Sequence, residues 1–155
     1  MNEIVAQEIQ ETENTLRGKY LTFLLDEQCF GLDIEYILEI IGVQSMTRVP
    51  KIPPYIIGIM NLRGKVIPII DMRLRFRKAL REYDAKTCIV VVEVDEDVVG
   101  LVVDSIDEVV DIADDNISAP PGAANDYSGN FMKGVAQDKG KVRLLLDCRR
   151  ILRDA

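Results

Sequence analysis

The residues that could carry chemistry in this chain are carboxylates, basic side chains and three cysteines, because the sequence contains no histidine. Without histidine the chain lacks the commonest general base, the usual partner of a nucleophilic serine or cysteine, and most zinc ligands. The cysteines are odd in number, far apart and embedded in apolar runs: Cys29, Cys88 and Cys148. This pattern predicts buried, reduced thiols in a reducing compartment.

Acidic runs are the remaining candidates for a metal site. Residues 93–97 and 104–115 are rich in Asp and Glu but lack the ligand spacing of an EF-hand. The tripeptide GKV at 64–66 and 140–142 lacks the rest of a phosphate-binding loop. The sequence therefore predicts neither a metal site nor a cofactor. A small-ligand or metal-binding β-barrel enzyme is the alternative, and it needs a convergent polar cluster for which the sequence gives no signal.

Two charged residues stand out at positions suited to binding. Arg63 precedes Gly64 at the tip of a predicted hairpin, where it is either a solvated turn residue or the polar anchor of a binding surface, since arginine is frequent at interface hot spots. Glu39 lies in the apolar segment ILEII and recurs as Glu108. It is either on the solvent face of that segment or at the charged rim of an apolar contact patch.

One basic block interrupts this acidic chain and consists of Arg73, Arg75, Arg77, Lys78 and Arg81. At strand spacing, its odd-numbered arginines share one face. The block predicts a solvated sheet edge that discourages strand pairing, with a docking patch for an acidic partner as the alternative. The net charge of −7 argues against binding to nucleic acid or anionic membranes. No segment has the pattern of a signal peptide or a membrane span, so composition favours a cytoplasmic protein.

The elements that position these residues occur twice. Residues 27–41 align without gaps on 96–110, with five of fifteen identical, and residues 55–74 align on 131–150, with six of twenty identical. The offsets are 69 and 76, so the second unit carries a seven-residue insertion. A duplicated unit in a chain of 155 residues predicts two similar lobes that bury a shared surface.

Each unit predicts mainly strands. KYLTFLLD and CFGL form a first hairpin, YIIGIMN and KVIPIID a second, and both patterns recur in the second unit. Gly64 and Gly140 are expected to supply positive φ at tight turns. Pro68 cannot donate a ladder hydrogen bond, which predicts an edge or bulged strand. Residues 34–41 have apolar spacing that fits either a helix or one helical turn running into a strand.

These motifs resemble the CheW-like family, the coupling proteins of bacterial chemotaxis, over residues 18–153. The stretches that carry the resemblance are FGLDIEYILEIIG, IIGIMNLRGKVIPIIDMRLRF and VVGLVVDSIDEVVDI. The resemblance implies a mainly β fold: two SH3-like five-stranded β-barrel lobes, about 18–83 and 84–153, around a shared hydrophobic core, with one or two short helices. It leaves open that the lobes exchange terminal strands. Residues 1–17 are predicted to be an acidic flexible tail.

The resemblance also implies a function without catalysis. Such proteins link the cytoplasmic hairpin tip of transmembrane chemoreceptors to the histidine kinase CheA, and they are recruited to receptor arrays without entering the membrane. The positions that match the family's receptor-binding groove are Ile37, Glu39, Arg63, Gly64, Cys88 and Val109. Kinase contact is assigned less specifically, to the loop containing Ser118, Pro120 and Pro121. The free protein is expected to be monomeric, and a scaffold role in pilus motility or development is the alternative.

Overall fold

The computed structural model describes residues 16–49, 53–120 and 127–153, which form a mainly β structure. The strands of the first sequence unit are β1 (Lys19–Leu25), β2 (Gln28–Asp33), β3 (Ile37–Gly42), β4 (Ile56–Leu62) and β5 (Lys65–Asp71). Those of the second unit are β6 (Cys88–Val94), β7 (Asp97–Val103), β8 (Ser105–Asp111), β9 (Ile117–Ser118), β10 (Met132–Asp138) and β11 (Lys141–Leu146). One short helix follows the last strand of each unit: α1 (Met72–Arg75) in the first and α2 (Cys148–Arg153) in the second. The predicted fold class is confirmed.

The strands form two sheets that interleave the two sequence units. One sheet has six strands in the order β8-β1-β2-β11-β10-β9, and the other has five in the order β3-β6-β7-β5-β4. The units are joined by parallel pairs, β2 with β11 and β5 with β7. The boundary near residue 84 therefore separates the two repeats but not the two sheets. The closure of each lobe into a barrel stays a prediction, as does the acidic tail, of which residues 1–15 lie outside the described residues.

The largest core lies between the sheets and takes side chains from both. Strand side chains alternate between faces, so one face of each sheet points to this shared core. Its buried members include Leu21, Phe23, Phe30 and Leu32 from the six-stranded sheet, and Val90, Val92, Leu101 and Val103 from the five-stranded sheet. The opposite faces bury two smaller inner clusters, one around Ile67, Ile69, Ile89 and Val91 and one around Tyr20, Ala136 and Leu145. The predicted shared core is confirmed.

Residues 34–41 combine a helical turn and a strand. A 3-10 turn at Ile34–Tyr36 runs directly into β3. The corresponding part of the second unit is extended from Ser105 onward as β8. β-Branched residues favour extended backbone, which explains why apolar spacing of helical appearance forms a strand here.

The expectation that the basic block forms a solvated edge is wrong for its first two arginines. Residues 72–75 form α1, whose cap is the Asp71 carboxylate accepting the N–H of Arg73 at 2.8 Å. Arg73 is 7% exposed and Arg75 is 2% exposed. Because the backbone is helical rather than extended, these two side chains do not line a strand edge, and both point into the protein.

The expectation that Pro68 marks an edge is confirmed locally: β5 as a whole lies between β4 and β7, but its pairing with β7 does not extend to Pro68. Pro68 is opposite Ile59, whose own N–H and C=O are bonded to Thr47 on the other side of β4. Pairing with β7 begins only at Ile69. The missing N–H of Pro68 therefore interrupts no ladder hydrogen bond.

Across the described residues, no helix has the length and apolar content needed to cross a bilayer.

Candidate functional site

The predicted receptor-binding residues divide between the two faces of β3, an edge strand of the five-stranded sheet. Ile37 is paired with Val92 and packs against the shared core, whereas Glu39 is paired with Val91 and faces the inner cluster. A register shift between Ile37 and Glu39 produces this division. The sequence pattern could not show it, because a bulge changes which residues share a face.

Ile37 of β3, Cys88 of β6 and Val109 of β8 lie on the shared-core side of their sheets. Val109 of β8 is paired with Leu21, and Ile106 with Phe23, so both residues point to that side. We define the interlobe face as Ile37, Ile40, Cys88, Ile106 and Val109. Ile40 is 44% exposed and Val109 is 54% exposed, which leaves an apolar surface at the margin of the core.

Glu39 and Arg63 form an ion pair at the rim of β3. Arg63 Nη2 donates to Glu39 Oε1 at 2.9 Å, and Nη1 donates to Oε2, so the pair is bidentate. The Arg63 side chain is 75% exposed and that of Glu39 is 21% exposed. The guanidinium is thereby held in one orientation while most of it remains open to solvent.

The turn that presents Arg63 is a two-residue turn with positive φ at both positions. φ is 52° at Arg63 and 84° at Gly64, and the Asn61 side chain accepts the N–H of Gly64 at 2.9 Å. A Cβ on Gly64 would meet no atom within 4 Å, so glycine is needed there for its backbone conformation rather than for space. The expectation of positive φ is confirmed at Gly64, and Gly140 repeats it with a φ of 78°.

The second unit retains a glutamate at the position of Glu39, but this glutamate pairs with a different kind of arginine. Glu108 accepts from Arg143 at 2.8 Å, and Arg143 is a buried residue of β11 rather than a turn residue. Lys139 occupies the turn position equivalent to Arg63, with a φ of 53°. Among the described residues, the pairing of a strand glutamate with an arginine at a turn tip therefore occurs in the first unit alone.

The cysteines are free and poorly suited to nucleophilic chemistry. Burial raises the pKa of the Cys29 and Cys88 thiols, which are half-buried, and raises that of the buried Cys148 to about 12. The prediction of free thiols is confirmed, whereas full burial holds only for Cys148. In the described ranges, no group of three or more His, Cys, Asp or Glu side chains is placed to hold a metal ion.

The loop assigned to kinase contact is described only in part. Ser118 ends β9, where it pairs with Val135 of β10. Pro120 follows at a half-buried position, and Pro121 lies outside the described residues. Ser118 borders a polar surface pocket together with Asp115, Asn116 and Gln137.

Comparison with known proteins gives a consistent match. The family model of the CheW-like domain matches residues 19–155. The chain is 31% identical over 138 residues to the chemotaxis protein CheW of Klebsiella aerogenes, covering 89% of this chain and 83% of that protein. It is 32% identical over 127 residues to CheW of Rhizobium meliloti, covering 82% of each. Protein FrzA of Myxococcus xanthus is 25% identical over 141 residues, covering 88% of this chain and 86% of that protein.

The fold agrees with these matches. The crystal structure of the scaffolding protein TtCheW from Thermoanaerobacter tengcongensis superposes with a TM-score of 0.81 at 34% identity. The superposition covers 86% of this chain and 91% of that one. The interleaved sheets, the repeated turns and the sequence matches lead to one conclusion: this chain belongs to the CheW-like family of chemotaxis scaffold proteins.

Proposed function

We propose that this chain is a non-catalytic adaptor that couples the cytoplasmic hairpin tip of chemoreceptors to the histidine kinase CheA. The observation that carries the proposal is the exposed Arg63 guanidinium, which is oriented by Glu39 of β3, the strand that also carries Ile37 and Ile40 of the interlobe face. Membership of the CheW-like family supplies the class of partner, and the geometry suggests how the receptor binds.

The interlobe face suits an amphipathic helical hairpin. Exposed Ile40 and Val109 and half-buried Ile37 would contact the apolar stripe of such a hairpin, the helix-in-groove mode of recognition. Arg63 retains hydrogen-bond donors that its bond to Glu39 does not use, since a guanidinium has five. The pair at the rim would therefore set the orientation of the receptor, and the apolar contacts would provide most of the affinity.

The chemistry of the site supports a role without catalysis. A nucleophilic cysteine requires a lowered pKa, and burial shifts all three thiols in the opposite direction. The chain contains no histidine to act as a general base at neutral pH. We infer that signal transfer through this protein is a change in the relative placement of its partners.

The kinase is proposed to bind at the lobe ends, including the loop with Ser118, Pro120 and Pro121. The protein is proposed to be cytoplasmic, to join membrane-associated receptor arrays through its partners, and to be monomeric when free. A scaffold role in a pathway other than chemotaxis is the second candidate, and the match to Protein FrzA is the observation in its favour. The genes adjacent to this one distinguish the two candidates.

The test is a pair of titrations by calorimetry, with a receptor hairpin fragment and with the kinase regulatory domain. Arg63→Ala is expected to weaken receptor binding about 30-fold, the effect of losing a hot-spot contact of ~2 kcal/mol. It should leave the unfolding temperature almost unchanged, because an exposed ion pair contributes ~0–1 kcal/mol. Pull-downs from the source cell with wild type and Arg63→Ala provide the parallel test with native partners.

Lys139→Ala is the matched control, since Lys139 occupies the same turn position in the second unit and has the same backbone conformation. It should leave receptor binding unchanged. Charge reversal, Glu39→Lys, should act like Arg63→Ala because it releases the guanidinium from its orientation. Equal loss of receptor and kinase binding, or equal effects of Arg63→Ala and Lys139→Ala, would contradict the proposal.

A further inference from the structure

A buried arginine joins the two sheets at the point where the chain crosses between them. Arg73 lies in α1, directly after β5 of the five-stranded sheet. Its Nε donates to Asp104 Oδ1 and its Nη2 to Asp104 Oδ2, both at 2.9 Å. Asp104 is the single residue between β7 of the five-stranded sheet and β8 of the six-stranded sheet. The pair therefore fixes the direction in which the chain enters β8.

A second aspartate extends this contact to the six-stranded sheet. Asp26 lies in the turn between β1 and β2, and its carboxylate accepts from Arg73 Nη2. The backbone N–H of Asp26 donates to Asp104 Oδ2 at 2.8 Å. We call Arg73, Asp104 and Asp26 the crossover clamp. A bidentate guanidinium–carboxylate pair fixes a plane as well as a distance, so the clamp restricts rotation of one sheet relative to the other.

The clamp lies next to the interlobe face. Ile106 is two residues after Asp104 and Val109 is three residues further along the same strand. Cys88 of the five-stranded sheet and Ile106 of β8 both pack against the shared core, so the start of β8 faces the five-stranded sheet across that core. Asp104 is thus separated from the first residue of this face in β8 by Ser105 alone.

We infer that Arg73 is a positioning residue for the receptor surface: through Asp104 and Asp26 it sets the placement of β8 relative to β3. The part of the inference that concerns the receptor rests on the proposed function. The part that concerns sheet orientation does not.

The second unit supplies a matched control. Arg149 is the sequence equivalent of Arg73, and Asp95, in the turn between β6 and β7, is the equivalent of Asp26. Arg149 donates to Asp95, so the two bonds correspond. The Arg149 side chain is 51% exposed, whereas that of Arg73 is 8% exposed and is also bonded to Asp104. Removing Arg149 thus removes a similar bridge without disturbing the entry to β8.

The experiment measures ¹⁵N–¹H residual dipolar couplings of wild type, Arg73→Lys, Asp26→Asn and Arg149→Gln, with receptor-fragment binding measured on the same samples. The couplings report the relative orientation of the two sheets in folded protein. Arg73→Lys keeps the positive charge but cannot form the bidentate contact with Asp104. It should change the relative orientation of the two sheets and weaken receptor binding about tenfold. Asp26→Asn, at a more exposed position, should change the orientation less, and Arg149→Gln should leave binding within about twofold of wild type.

A purely stabilising role for Arg73 would lower the unfolding temperature while leaving couplings and affinity unchanged, and that result overturns the inference. If Arg73→Lys does not fold, Asp26→Asn decides the question, and couplings identical to wild type then overturn it. If wild type fails to bind the receptor fragment, the proposed function fails, and the couplings still test the clamp independently.

Discussion

Arg75 provides the most quantitative test of how the two lobes are held together. It is 2% exposed, and its guanidinium lies 4.1 Å from the ring centroid of Tyr55 and 4.5 Å from that of Phe131. Nε donates to the carbonyl of Ile151 at 2.8 Å, and Nη2 donates to that of Arg150 at 3.2 Å. Those carbonyls belong to the last turn of α2, where backbone acceptors have no partner within the helix. Arg75 therefore caps a helix that follows the other sheet.

The cost of replacing Arg75 with methionine follows from these contacts. A hydrogen bond from a charged donor contributes ~1.5–3 kcal/mol. A cation–π contact contributes ~0.5–2 kcal/mol. Methionine retains the apolar packing but leaves the two carbonyls of α2 without these donors, so we expect a loss of about 3–5 kcal/mol. That is a large part of the ~5–15 kcal/mol available to a typical domain. At ~2–4 °C per kcal/mol, the unfolding temperature should fall by about 6–20 °C.

The assay is urea and thermal unfolding followed by circular dichroism, with Arg77→Met as the control. Arg77 stacks on Tyr127 at 3.9 Å but is exposed, so its loss should cost no more than about 1 kcal/mol. The reasoning fails if Arg75→Met and Arg77→Met lower stability by the same amount, or if Arg75→Met costs less than about 1 kcal/mol. Either result would mean that the carbonyls of α2 find water or other donors without penalty.

Two further predictions follow from the ionisable groups. Burial raises the pKa of Asp104, but the hydrogen bonds from Arg73 and the Asp26 N–H, together with the charges of Arg73 and Arg81, outweigh it and hold that pKa below its usual value. Its stabilisation is therefore complete above the unfolded-state pKa of ~3.9 and is lost as pH falls through the lower folded value. The free energy of unfolding, measured in urea between pH 6 and pH 2, should therefore fall less steeply with decreasing pH for Asp104→Asn than for wild type. Identical pH dependences of the two proteins would refute this. With a thiol reagent at pH 8, Cys29 and Cys88 should react in folded protein and Cys148 only after unfolding; three equally fast thiols would contradict its burial.

The elements that the sequence predicted well are those determined by local chemistry. The hairpin that ends each unit depends on Gly64 or Gly140 adopting positive φ between two apolar runs, and that requirement is readable from a few residues. The helix after β5 had a local signal too: Asp71 is a favoured N-cap residue and precedes good helix formers. Strand spacing ends at Asp71, where the backbone becomes helical, and Arg73 is therefore buried rather than placed on a strand edge.

The contacts that the sequence could not predict connect distant segments. The parallel pairs of β2 with β11 and of β5 with β7 exchange strands between the repeats, and no spacing within one repeat encodes them. The pair of Glu39 with Arg63 spans 24 positions, and its recurrence as Glu108 predicted the acid but not the partner. Arg143 fills that role from a buried position in β11. Each of these contacts is decided by tertiary packing.

The contacts of Arg75 show how the two repeats are related in space. Tyr55 and Phe131 are equivalent residues of the two units, and the guanidinium lies between their rings. The position equivalent to Arg75 is Ile151, and the Arg75 Nε donates to the Ile151 carbonyl. A residue that contacts its own equivalent lies close to the approximate two-fold axis between the copies.

Divergence between the repeats therefore has two different causes. Close packing near an axis leaves room for one large side chain rather than two. Arg75 of the first unit occupies that space, and the equivalent position of the second unit carries the smaller, uncharged Ile151. Two buried guanidinium groups at that point would also repel each other. No such constraint applies to Arg63 and Lys139, which sit at separate turn tips with the same backbone conformation. Their difference is not required by the fold, which is why the turn of the first unit is the place to look for selection by a partner.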